Sequence, residues 1–287
     1  MKAILDEQLN QIFQLNYKEN CMTGENDSVF VNFLTEGYPD SAVYEEVTDM
    51  AKMRTKLMDS LQGYNSQPKV QKMDIVLFKD AIIHCSKIIR VINLKRGHTL
   101  LVGVGGSGRH SLTRLSSYLS GMNCDQLEIK TGFGLKDFRI KLKDMYEMAA
   151  YRDKMKKPLC FIFSDNDVMQ ETFLEDIQNM LNSGIVPNVY VPDELSRIRE
   201  DMLPRYKNMG QTNESPDAMH EWFYNRVKDN MHLAILMSPV GATFRNYCRQ
   251  YPALINNTTI DWFMPWPEEA LIEVATKFLS LVDLPSE

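Results

Sequence analysis

A chain of 287 residues, 44% hydrophobic and 24% charged, has the makings of one large or two small folded domains; this excludes a mainly disordered or low-complexity polypeptide. Its 32 basic and 38 acidic residues give a net charge of −6, which argues against nucleic acid as a broad electrostatic partner. No apolar run nears the ~18 residues that a bilayer span requires, so no membrane is expected as a partner.

The segment after Met1 lacks the basic flank and apolar core of a secretory signal. The five cysteines (Cys21, Cys85, Cys124, Cys160 and Cys248) are scattered and form no CxxC pair. That spacing predicts a reducing, cytoplasmic setting without structural zinc. The five histidines form no HExxH, and the 18 methionines read as adaptable core filler.

Residues 1–40 form a weakly patterned lead-in, with a loop at Thr23–Ser28. Residues 41–97 read as a helical part. Ser41 is placed to cap a helix to about Gln62, closed by Gly63, with Val43, Val47, Met50, Met53, Leu57 and Leu61 on one face. A second helix is predicted from about Asp74 to Leu94, on the stripe Ile75, Phe78, Ile82, Cys85, Ile89 and Ile92. From residue 98 to 287 the pattern alternates. A strand at Thr99-Leu-Leu-Val102 leads to a helix carrying Leu112, Leu115 and Leu119. Then come a strand at 126–130, a helix around Phe138–Ala149, a strand at Leu159–Ser164 and a helix around Phe173–Leu181. A polar helical stretch, a strand at His232–Met237, a short helix, a strand near Thr258–Phe263 and a helix from Pro267 complete the chain. Such alternation predicts an α/β fold, a central parallel sheet with helices on both faces and ligands at the carboxyl ends of the strands.

Between the first of these strands and its helix lies Gly103-Val104-Gly105-Gly106-Ser107-Gly108-Arg109-His110-Ser111. The phosphate-loop pattern is GxxxxGK[ST], and Gly103 and Gly108 fit it. Gly105 and Gly106 let several N–H groups turn inward, where the following helix adds its positive end, so an anion nest is expected. Arg109 stands at the lysine position, and its planar fork does not replace a point charge one for one. His110 stands where a hydroxyl should hold Mg²⁺, a metal that prefers hard oxygen. Ser111 offers that hydroxyl one residue late, turned about 100° round the helix. The nest is therefore predicted to survive, with Mg²⁺ only weakly supported through Ser111.

A nucleotide-hydrolysing site also needs an apolar strand ending in acids. Leu159–Asp165 is the candidate, in two registers. Either Asp165 is the metal-side acid, or Ser164 and Asp165 take the metal-acid and catalytic-acid places. Both leave one acid where two are wanted. Ser238, at the end of the His232–Met237 strand, stands where a polar side chain would sense a terminal phosphate.

At these residues the chain resembles an AAA+ module of a dynein heavy chain. The matching segments are Gly97–Arg109, Phe173–Asn188, Leu236-Met-Ser-Pro-Val-Gly241, Pro252–Phe263 and Trp266–Ala270. The Gly-Arg loop and the Met-Ser-Pro strand end look most like the fourth ring module of an axonemal dynein. The resemblance implies a P-loop AAA+ large subdomain at 98–287, lacking its small subdomain and stalk. It implies ATP or ADP at Gly103–Ser111, with Val76 and Leu77, at the start of the second helix, closing over adenine. It favours the register with Ser164 and Asp165 as degenerate catalytic positions and Ser238 as the sensor. Asn257 falls about where relatives carry an arginine for a neighbouring module's nucleotide. The partners implied are the neighbouring modules of the same heavy chain, and the microtubule only through the absent stalk. The place implied is the cytoskeleton of the cilium or flagellum axoneme. A regulatory module with little or no hydrolysis is the leading expectation; a slow competent ATPase and a nucleotide-free brace are its rivals.

Overall fold

The computed structural model describes residues 29–34, 43–68, 70–151 and 157–280. The chain divides into two compact units, Met1–Leu57 and Met58–Glu287. In the first, β1 (Phe30–Val31) and β2 (Glu45–Glu46) pair antiparallel. Helix α1 (Met50–Asn65) starts later than the apolar spacing predicts, because Asp49 caps it. Its carboxylate accepts from the Ala51 and Lys52 N–H groups at 2.8 and 3.1 Å. Val43 is exposed and Val47 N–H donates to the Val29 carbonyl, so neither belongs to the helix face expected of them. Gly63 lies inside α1 rather than closing it. The Thr23–Ser28 loop and the Ser41 cap fall outside the described residues.

The second unit holds the expected parallel sheet. Its strands are β3 (Thr99–Val102), β4 (Asn123–Gln126), β5 (Leu159–Ser164), β6 (Met231–Met237) and β7 (Thr259–Trp262), in the spatial order β4-β5-β6-β3-β7. All four pairings are parallel. Strand β4 begins three residues before its predicted start. Helix α2 (Lys79–Asn93) begins later than predicted, since Asp74–Phe78 runs extended. The remaining helices are α3 (Arg109–Leu119), α4 (Leu135–Ala150), α5 (Glu171–Ser183), α6 (Pro192–Asn208), α7 (Pro216–Asn230), α8 (Thr243–Gln250), α9 (Ala253–Asn256) and α10 (Glu268–Leu279).

The strands alternate cleanly. Leu100, Val102, Phe161, Phe163, Leu233, Ile235 and Met237 face one side, in a core with α4, α5 and α7. The intervening Leu101, Cys160, Ile162, Ala234 and Leu236 are buried too, and helices α2 and α3 pack on the sheet. A sheet buried on both faces needs apolar residues at every position, which is why its strands read as continuous apolar runs.

Two polar clusters inside this layer are paired across elements. Asp261 on β7, only 7% exposed at its side chain, receives His84 Nδ1 at 2.6 Å and Lys87 Nζ at 3.2 Å, both from α2. The His84 ring stacks on Phe263. At the opposite end of the strands, His98 Nδ1 accepts the Leu233 N–H at 3.0 Å, while His232 Nδ1 donates to the Gly97 carbonyl at 2.9 Å. Burial, and then the neighbouring His232, pull the His98 pKa down from its ordinary 6.5 to about 4.

The sign of the consequence is fixed. Between about pH 4 and 6.5 the unfolded chain binds a proton at His98 that the folded chain refuses. Stability is therefore full above pH 6.5 and falls as the pH drops toward 4, by up to roughly 3 kcal/mol. His98→Asn keeps an acceptor and removes the titration. Urea unfolding followed from pH 7 to 4 should show a shallower loss of stability in that variant than in the parent chain.

Candidate functional site

The carboxyl ends of β3, β5 and β6 converge on the loop Gly103–Gly108, which opens helix α3 at Arg109. Glycine is required at defined points. Gly106 and Gly108 have φ of 80° and 85°, a left-handed conformation costly for other residues. At Gly103 an added Cβ would lie 2.7 Å from the Phe263 Cβ, so the loop is seated against the chain that follows β7. Gly105 and Gly106 face the other way: an added Cβ at either meets nothing within 4 Å. The loop thus has a tightly packed back and an open front. The Ser107 hydroxyl is buried and has no hydrogen-bond partner among the described residues.

Arg109 turns inward rather than toward the open front. The residue is only 8% exposed. Its Nη1 donates to the Met237 carbonyl at 2.6 Å and, more weakly, to the Leu101 carbonyl at 3.5 Å; its Nη2 donates to the Val104 carbonyl at 3.3 Å. Burial lowers its pKa, an effect opposed by the charge of Asp165.

Asp165 meets the same strand end from the other side. Its Oδ2 accepts the Ser238 N–H at 2.8 Å. Met237 C=O and Ser238 N–H are the two halves of one peptide group. That peptide is held at its carbonyl by Arg109 and at its amide by Asp165. Gly103 N–H adds a third contact, 3.1 Å from the Met237 oxygen.

The other positions expected to be catalytic are similarly engaged within the chain. Ser164 is buried; its N–H and hydroxyl both donate to Asp167 Oδ2, at 2.7 and 2.8 Å. Asp167, which sequence reasoning did not single out, therefore caps the turn that follows β5. A serine three residues before an aspartate was the available signal. The Ser238 hydroxyl accepts the Val240 N–H at 3.4 Å, within its own turn. His110 is half-buried. Burial, then Arg114 and Arg109, lower its pKa against the opposing pull of Asp167 and Asp165. Among the described residues no cluster of three His, Cys, Asp or Glu side chains is suited to a metal. An imidazole at 110 and a Ser164 hydroxyl committed to Asp167 are a poor donor set for Mg²⁺, which demands oxygen ligands. His110 and Ser164 do not suit that ion; the Ser111 hydroxyl, in the first turn of α3, is the ligand left for it.

Val76 and Leu77 are buried, in the extended segment before α2 rather than in its first turn. Asn257 is tied to α5, its Nδ2 donating to the Leu181 carbonyl and Asn182 Oδ1 at 3.0 and 2.8 Å. Arg245 and Arg249 lie exposed on α8. Trp222 and Phe223 pack with the α4/α5/α7 core, and Tyr190 is buried against it.

The Arg109 contacts generate a stability prediction. Arg109→Ala leaves the Met237 and Leu101 carbonyls without a charged donor, and a hydrogen bond to a charged group is worth about 1.5–3 kcal/mol. The variant should lose about 3 kcal/mol in urea unfolding. Arg109→Lys, which lacks the second nitrogen that reaches the Val104 carbonyl, should recover only part of that.

Comparison with known proteins came to one family. Residues 73–287 match the family model described as the P-loop containing dynein motor region D4. The human dynein axonemal heavy chain 2 is 41% identical over 282 residues, covering 98% of this chain and 6% of that protein. The Chlamydomonas reinhardtii dynein-1-beta heavy chain of the flagellar inner arm I1 complex is 41% identical over 284 residues, again 98% and 6%. The human dynein axonemal heavy chain 6 is 42% identical over 262 residues, 90% and 6%. This chain thus spans a small fraction of the length of the relatives it matches.

Proposed function

The chain belongs to the P-loop-containing family of the dynein motor region D4, and on that premise we propose that it is a regulatory module that binds ATP or ADP and hydrolyses it little or not at all. The observation that carries the reading is the contrast between the front and the rear of the loop. In front, Gly105 and Gly106 leave room for a ligand, at the amino end of α3. Main-chain N–H groups in such a turn and the helix dipole suit a phosphate chain without any side-chain ligand. Behind, Arg109, Ser164, Asp165 and Ser238 all hydrogen-bond within the protein.

The residues proposed to hold the nucleotide are Gly103–Ser111, through their backbone, with Val76 and Leu77 on the adenine side. A bound nucleotide supplies charge and contact area to the loop. Hydrolysis would need a base with a free carboxylate beside a positioned water, and a base contributes about 10²–10⁴-fold. Asp165 has one oxygen fixed on the Ser238 amide. Together with the donor set unsuited to Mg²⁺, this supports binding without fast turnover.

The wider setting follows from the relatives. Their names place them in the axoneme or a flagellar inner arm, and we extend that place to this chain. Its partners would be neighbouring modules of the same heavy chain, with microtubules reached only through a stalk outside residues 98–287. The division into a lead-in at 1–40, a helical part at 41–97 and an α/β subdomain at 98–287 belongs to this proposal. A second reading, a brace that takes no nucleotide, is favoured by one observation: Arg109 already has three carbonyl partners.

Gly105→Val separates the two readings. An added Cβ there meets nothing within 4 Å, and the valine methyls beyond it would occupy the front of the loop. In the parent, ATP or ADP at a hundredfold excess over its Kd should stabilise by about 2.7 kcal/mol. EDTA should leave that gain unchanged. Gly105→Val should melt like the ligand-free parent and show no gain. A parent chain whose melting ignores millimolar nucleotide establishes the brace instead. Phosphate release near ~1 s⁻¹ or faster, the lower end of ordinary enzyme turnover, overturns the claim of little or no hydrolysis.

A further inference from the structure

Apart from the loop, the sheet brings together two side chains that the sequence keeps far apart. Cys124 on β4 and Cys160 on β5 are direct partners in the parallel register. Neighbouring strands lie about 4.8 Å apart, and a disulfide requires Cα atoms roughly 4.4–6.8 Å apart. Register partners in a parallel pair point to the same face. Helix α3 packs on both of these strands.

The two sulfurs differ in access. Strand β4 is the edge of the sheet, and Cys124 is exposed, whereas Cys160 is fully buried. We propose that Cys124 and Cys160 form a redox dithiol, in which Cys124 is the attacking thiol for low-molecular-weight disulfides such as oxidised glutathione and Cys160 resolves the adduct.

The electrostatics agree with that division. The hydrogen bond from Cys160 lowers the Cys124 pKa, with help from Ser117 and Arg114 against burial and Asp125. The same hydrogen bond, together with burial, raises Cys160 well above the ordinary thiol value. The remaining thiols within the described residues go the other way. Burial pushes Cys85 up to about 12 and also raises Cys248. Cys124 is thus the described cysteine with both exposure and thiolate character, the two conditions for reactivity.

The steps balance. The Cys124 thiolate attacks one sulfur of glutathione disulfide; that S–S bond breaks, and one glutathione leaves as a thiolate. Cys124 then carries a mixed disulfide and is no longer an anion, so the interaction that kept the proton on Cys160 is gone. Cys160 gives its proton to the departed glutathione thiolate and attacks Cys124 Sγ. The bond from Cys124 to glutathione breaks, and the second glutathione leaves and takes up a proton from solvent, the one Cys124 had released. The two cysteines have lost two electrons, and the glutathione disulfide has become two thiols.

The test uses the full reduced chain, equilibrated with glutathione redox buffers, quenched with N-ethylmaleimide and mapped by mass spectrometry. The expected product is a peptide pair joining Cys124 to Cys160, formed while Cys85 stays reduced. Cys160→Ala should instead retain glutathione on Cys124. A second measurement needs no variant: iodoacetamide at pH 7 should alkylate Cys124 at least about tenfold faster than Cys248. Cys124 and Cys248 reacting at equal rates would overturn the proposal. So would a fully oxidised chain in which Cys160 remains a free thiol, or in which Cys124 is joined to Cys21.

Discussion

The peptide group between Met237 and Ser238 is the point from which the rest of the site is organised. Three motifs distant in sequence meet there: the glycine loop through Gly103 and Arg109, the acidic strand end through Asp165, and β6 itself. A parallel sheet leaves the last C=O and N–H groups of each strand without ladder partners at its carboxyl edge. Buried backbone groups must be paired with something. In this chain the partners are charged, which makes the bonds short and strong. Met237 O to Arg109 Nη1, at 2.6 Å, is the shortest of the Arg109 contacts.

That arrangement explains why an arginine is tolerated at a position built for lysine. A buried guanidinium has five donors to satisfy, and an incomplete set costs several kcal/mol. The ends of β3 and β6 offer carbonyls from two adjacent strands, and the loop adds Val104. Nη1 takes the two strand carbonyls and Nη2 the loop carbonyl, so the planar fork joins the strand ends to the loop. Asp165 lies close enough to oppose the loss of charge that burial favours. The same geometry draws the positive charge back from the front of the loop. The anion recognition proposed there would fall to main-chain N–H groups, which do not need a side chain to reach forward.

Much of this was legible in the sequence, and what was not is instructive. The strands were legible because a sheet buried on both faces leaves apolar runs such as Leu159–Phe163 with no polar alternation to confuse them. The glycine loop was legible because Gly106 and Gly108 occupy conformations that few other residues adopt. Apolar spacing placed the helices around Phe138 and Phe173 but misjudged the starts of α1 and α2. Val43 and Val47 fit a helical face by number alone, but Asp49 decides where the helix begins. Ile75-Val76-Leu77-Phe78 places four apolar residues in succession, which no single helix face can hold; extended backbone buries Val76, Leu77 and Phe78 instead. The carbonyl partners of Arg109 and the pairing of Cys124 with Cys160 were invisible. Both depend on strand order, which the sequence does not number.

Helix α3 joins the two places where chemistry is proposed. Its first residue is Arg109, bound to the strand ends; the same helix packs on β4 and β5, the strands that carry the two thiols. Between them Arg114 grips Gln126 of β4 and Gln71 of the extended segment before α2, at 2.7 and 3.0 Å. A helix is stiff along its axis over such a short distance, so its two ends cannot move independently. Joining the sulfurs of β4 and β5 by a covalent bond of about 2.05 Å would tighten the strand pair beneath α3. The constraint acts on the element that supplies the rear wall and the dipole of the glycine loop. Under the redox proposal, oxidation of the thiols would act on the loop through α3, without any contact between a cysteine and a ligand.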